Sequence, residues 1–152
     1  MSNRAGKIVG LATAFADTLR DSMTVGIGGF GLDRKPMTLV RAIARSGIRE
    51  VTVETYAGGL DIEALLAAGT MSCVSSCHVG LDQFGLAPLF RGARESGRIA
   101  YREWSELSQL QAWRAAADGI PFVPVAMDPR SDLLAVNPDL KRATSQIGRA
   151  HV

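Results

Sequence analysis

Long hydrophobic runs are absent: no stretch approaches the ~18 to 20 consecutive apolar residues that a membrane-spanning helix needs. Basic blocks are absent too. The 152 residues carry 17 Lys and Arg against 15 Asp and Glu, a net charge of +2, and aromatics make up only 6%. A nucleic-acid surface needs a concentrated positive patch, so that class of partner is not expected. Residues 1–19 contain Asp17 and an amphipathic pattern in place of a charged start, an apolar run and a cleavage site. No secretory signal is read, and the expected location is the cytoplasm. Cysteine is scarce: Cys73 and Cys77 stand at C-x3-C spacing with one histidine, His78, beside them. Zinc and redox sites favour C-x2-C in the company of further ligands, so the pair reads as small residues in a reducing compartment, and no metal is expected.

What is present is ordinary globular composition, 47% apolar and 21% charged. The length suffices for one core and not for two well-formed domains. Apolar residues Ile8, Leu11, Ala12, Phe15 and Leu19 recur at helical spacing and predict a helix over 4–20. Met23 to Ile27 is a β-prone run ending in glycines, and Pro36 suits the first turn of a helix that Gly47 stops. The cycle then repeats. Glu50 to Tyr56 reads as a strand, Asp61 as a helix cap with Gly69 at the helix end, and Met71 to Cys77 as a third strand. Pro88 to Gly97 reads as a helix, Ile99 to Arg102 as a short strand, and Ser105 as the cap of a helix ended by Gly119. Phe122 to Val125 is extended by its prolines. Strands alternating with helices of about ten residues predict an α/β fold, a mostly parallel open sheet with helices on both faces. Ligands of such sheets bind beyond the carboxyl ends of the strands, which points to the loops after Ile27, Tyr56 and Cys77.

The densest chemical signal is Gly26-Ile-Gly28-Gly29-Phe30-Gly31. Glycines permit positive φ and close approach of a ligand to the backbone, and successive exposed N–H groups form an anion-binding concavity. The same residues could instead serve only a tight turn. They also match the G-x-G-x-x-G dinucleotide fingerprint, with Glu54 as a possible ribose-binding acid. That reading would put Pro36 inside the helix, where proline costs ~3 kcal/mol. Arg34 and Lys35 follow beside a helix start, two cations suited to carboxylate or phosphate groups.

The stretch Asp21 to Pro36, DSMTVGIGGFGLDRKP, resembles the signature of family I CoA-transferases: an acidic turn, an apolar strand, Gly-Gly-Phe, then proline. Ser22, Gly26 and Arg34 depart from the general pattern and bring it closer to the branch that holds the α-subunits of glutaconate CoA-transferases. The likeness continues at Ala42 to Val53 and Trp113 to Val125. It implies the A-type chain of a heteromeric enzyme, with the active site between two similar α/β subunits, one A-type and one B-type. Such enzymes move CoA from an acyl-CoA to a free carboxylate by a ping-pong route through a glutamate nucleophile. That glutamate belongs to the B-type CoA-transferase partner, and no S-E-N-G-like stretch occurs here. The loop Gly28, Gly29, Phe30, Gly31, with Arg34 and Lys35, would border the CoA site and offer backbone donors to developing negative charge. A coenzyme A thioester is then the substrate, with no permanently bound cofactor.

A second branch is also similar, at Met23 to Ile43 and at Ile99 to Glu106. Its members are hydrolases that open carbon–carbon bonds in CoA-linked steroid ring fragments, using an acid of the α-subunit for proton transfer. Glu106 lies about where that acid would fall, and Glu103 is a further possibility; Glu106 also reads as a first-turn helix acid. Family α-subunits are roughly twice this length, so residues 1–145 are expected to be the N-terminal part of a single domain, inactive alone. The last six residues, IGRAHV, translate a common sequencing adapter, and 146–152 are expected to be a non-native tail.

Overall fold

The computed structural model describes residues 9–16, 18–127 and 130–144. Among the described residues, six α-helices and five strands follow one another, with a 3-10 turn at Asp82–Phe84: α1 (Leu11–Ala16), β1 (Thr24–Phe30), α2 (Met37–Ser46), β2 (Val51–Gly58), α3 (Leu60–Ala67), β3 (Met71–Ser76), β4 (His78–Val79), α4 (Pro88–Glu95), β5 (Ala100–Glu103), α5 (Glu106–Asp118) and α6 (Leu133–Val136). Local chemistry explains many boundaries. Gly47 and Gly119 end α2 and α5 in the left-handed conformation that only glycine adopts cheaply. Pro88 opens α4 at a position where its missing N–H costs nothing. Ser105 caps α5 by accepting from the Ser108 amide, while the Ser108 hydroxyl accepts from the Ser105 amide.

All pairings in the sheet are parallel, in the order β1-β2-β3-β5, and β4 continues β3 along β2 after a break at Cys77. Strand order follows chain order, so the right-handed crossovers α2, α3 and α4 fall on one face. There Val51, Val53 and Val74 pack with Val40, Ile43, Ile62, Leu65, Phe90 and Ala93. Several of these side chains are fully buried. Each stabilises the fold by about 1.5 to 3 kcal/mol. The other face carries Glu54 and Tyr56, against which Trp113 of α5 packs. This is the expected α/β architecture with helices on both faces.

Two details differ from the sequence reading. First, β1 does not stop at Ile27 but runs through the glycines to Phe30, because β2 supplies ladder partners on both sides of a bulge. Second, Asp61 is not the cap of α3. Gly59 holds that position, and the Asp61 carboxylate is buried in an ion pair. Phe122 to Val125 lies in no helix or strand among the described residues. The part of the expected first helix before Val9 and the expected non-native tail lie outside the described residues.

Candidate active site

The glycine run distorts the sheet at its first strand. Ile27 pairs with Thr55 and Phe30 with Ala57, so Gly28 and Gly29 together stand opposite Tyr56. Two residues against one is a β-bulge, and it leaves one residue of β1 without a ladder partner. Gly29 needs its lack of a side chain: φ is +97°, and a Cβ there would lie 2.8 Å from the Asp33 carbonyl oxygen. Gly28 is exposed, with open space where a Cβ would go. Beyond the bulge the chain folds back in a tight turn, Phe30 N–H donating to Asp33 O at 3.0 Å and Asp33 N–H to Phe30 O at 2.7 Å. The exposed bulge is thus a small patch of backbone at the carboxyl end of β1, open to a ligand.

The neighbouring strand ends complete the surroundings on the α5 face. Tyr56 stands at the centre, its ring 6.0 Å from that of Phe30 and 6.4 Å from that of Trp113. Its hydroxyl is held above the ordinary value of 10.0, first by burial and then by the charge and hydrogen bonding of Glu106. Burial and the same carboxylate push up the Cys77 thiol, whose Sγ donates to Tyr56 O at 2.9 Å. Glu106 opens α5 immediately after the cap residue Ser105. Gln109, fully buried one turn on, accepts from Cys77 N–H at 2.9 Å and donates to Thr55 O at 3.0 Å and Ser75 O at 3.3 Å. It therefore fastens α5, and Glu106 with it, to the ends of β2 and β3.

The residues singled out from the sequence do not all meet. Gly28 and Gly29 stand opposite Tyr56 in the ladder, Phe30 lies against its ring and Glu106 interacts with its hydroxyl, so the bulge and this acid come to one edge. Glu103 sits apart, with its carboxylate 3.4 Å from the Arg94 guanidinium and its backbone oxygen accepting from Asn137 Nδ2 at 2.8 Å. Arg34 is exposed, in the left-handed region at φ 55°. Lys35 does not join it at the surface: its ammonium turns inward, 3.0 Å from Asp61 Oδ2 and 3.0 Å from Thr55 Oγ1. Of the expected pair of cations, one is spent on a buried carboxylate. Glu54 lies mid-strand and accepts from Trp113 Nε1 at 3.2 Å. The dinucleotide reading fails on the same geometry, because Gly26, Gly28 and Gly29 lie within a strand and the next helix begins only at Met37. Sequence reasoning points to the loop after Tyr56 but misses Tyr56 itself, Gln109 and Trp113 as site residues.

Among the described residues, no group of three or more His, Cys, Asp or Glu side chains could hold a metal ion. No helix among them is long and apolar enough to cross a membrane. The family model for Coenzyme A transferase matches residues 9–140. The chain belongs to the CoA-transferase family. Within that family it is 40% identical over 134 residues to the cholesterol ring-cleaving hydrolase IpdA subunit of Rhodococcus jostii strain RHA1, covering 88% of this chain and 45% of the relative. It is 30% identical over 128 residues to the A-type subunit of glutaconate CoA-transferase from Acidaminococcus fermentans, covering 84% and 40%. The crystal structure of that transferase superposes with a TM-score of 0.78 at 30% identity, over 85% of this chain and 41% of the other. The decarboxylase AibA/AibB, solved as a cysteine-to-serine variant, gives the same TM-score at 30% identity, over 86% and 50%. This CoA-transferase family chain thus spans half or less of the length of each of these relatives. The relatives include a hydrolase, a transferase and a decarboxylase, so one fold here carries several reactions.

Proposed function

We propose that this chain belongs to the A-type half of an enzyme that acts on a CoA thioester, works with a B-type partner, and uses Glu106 as its general acid and base. The observation that carries the reading is the placement of Glu106 beside Tyr56 at the edge where the glycine bulge is exposed. Hydrolytic opening of a carbon–carbon bond needs a proton taken from water and a proton delivered to the departing carbon. A single positioned carboxylate can do both in turn. The N–H groups of the bulge would face the oxygen on which negative charge develops. The 40% identity to a ring-cleaving hydrolase chain supports placing hydrolysis first, whereas the sequence motifs alone favour the transferase.

The second reading is CoA exchange between carboxylic acids, with the nucleophilic glutamate on the B-type partner; the likeness to glutaconate CoA-transferase favours it. Glu106 then has no proton to move. The test pairs this chain's full-length form with a B-type partner and supplies CoA thioesters of ring fragments and of dicarboxylic acids. Net hydrolysis is followed beside exchange of labelled CoA. In the hydrolase reading Glu106→Gln slows turnover on the order of a hundredfold or more. Full activity in that variant, with an enzyme–CoA thioester trapped by borohydride on the partner, would hand the assignment to the transferase.

A further inference from the structure

A buried ion pair lies directly behind the bulge. The side chains of Lys35 and Asp61 are 1% and 0% exposed, and their charges approach to 3.0 Å. Lys35 Nζ also donates to Thr55 Oγ1 at 3.0 Å, while Asp61 Oδ1 accepts from Gly59 N–H at 2.7 Å. Asp61 Oδ2 is held by charge and not by a directed hydrogen bond. Each of these partners touches the glycine turn. Thr55 is the ladder partner of Ile27, the last residue before the bulge. A Cβ on Gly29 would lie 2.9 Å from Lys35 Cδ, so the lysine stem is the floor on which the bulge rests. Gly59 packs against the carbonyl of Gly31, and Gly31 N–H donates to Ala57 O at 3.1 Å.

Burying two charges costs several kcal/mol per ion, and well-packed apolar replacements are often as stable or more so. Stability alone therefore gives this pair no strong reason to exist. We propose that Lys35 and Asp61 are positioning residues: their attraction clamps the loop before α2 to the first turn of α3 and so sets the geometry of the Gly28–Gly29 bulge. The inference rests on the bulge being the donor patch of the proposed reaction. A misplacement of about 1 Å at such a patch can cost around a hundredfold in rate.

The double variant Lys35→Met with Asp61→Asn separates positioning from support. It removes both charges together and keeps an oxygen for Gly59 N–H. In the chain itself, hydrogen exchange of the 27–31 amides is expected to quicken at least tenfold while β3 and β5 keep their protection. In the assembled enzyme, kcat is expected to fall about ten- to a hundredfold with KM nearly unchanged. A kcat equal to wild type in the double variant, or protection lost evenly across the sheet, would overturn the proposal. If the wild-type assembly turns over no CoA thioester while the local exchange effect stands, the proposed function has failed and the clamp has not.

Discussion

Tyr56 and Tyr101 are the chain's two tyrosines, so the ultraviolet titration of tyrosinate reads these two sites alone. Both hydroxyls are raised, Tyr56 by burial and then Glu106, Tyr101 by burial and then Glu103. A raised folded value means that the phenols contribute stability in full below the ordinary value of 10.0, and that this is lost as pH climbs through the folded values. Glu106→Gln is expected to lower the Tyr56 midpoint and leave Tyr101 where it is. A Tyr56 midpoint that ignores the substitution would separate the acid from the tyrosine. The glycines offer a sharper contrast. Gly29→Ala places a Cβ 2.8 Å from a backbone oxygen at positive φ and is expected to cost about 1 to 3 kcal/mol in chemical denaturation. Gly28→Ala meets open space and is expected to stay within about 0.5 kcal/mol. Comparable losses in the two variants would remove the bulge as described.

At the scale of elements, α5 is held by its cap, by the Gln109 amide and by Trp113 against Glu54 and Tyr56. Ser105→Ala is expected to cost about 1 kcal/mol through the lost cap. Gln109→Leu leaves Cys77 N–H, Thr55 O and Ser75 O without this partner inside the protein, at an expected cost of about 2 to 4 kcal/mol. Thermal unfolding followed by circular dichroism checks both, and a cost for Gln109→Leu no greater than that for Ser105→Ala would deny the amide its role. The cap is legible in the sequence because its partners, Ser105 and Ser108, are three residues apart. The same holds for Gly47, Pro88 and Gly119, whose effects are local. The bulge is not legible, since it exists only against β2, and Gly28 has no local reason to be strand. Lys35 reads as a surface cation for the same cause: Asp61 lies 26 positions on, and no short-range pattern couples them. Glu106 and the glycines are each visible as candidates; their meeting around Tyr56 requires the sheet.

Across the whole molecule, apolar surface remains uncovered. Phe122 is 77% exposed, Phe84 73% and Leu86 63%, and Leu107 and Leu110 of α5 are about half exposed. Among the described residues, β1 and β5 are both open edges. Large exposed apolar side chains beside unpaired strands favour association. The chain by itself is expected to self-associate, with an apparent mass that rises with concentration in light scattering after gel filtration. A monomer of constant mass across the micromolar range would contradict this. The order β1-β2-β3-β5 has a further consequence, one for synthesis. Along this path each strand pairs with the path strand made before it, and β4 only extends the pairing along β2, so a nascent chain leaving the ribosome never waits for a distant segment to fill a gap. The sheet can lengthen sideways one βα unit at a time, in the direction of translation. Among these four strands the youngest is always the edge that receives the next.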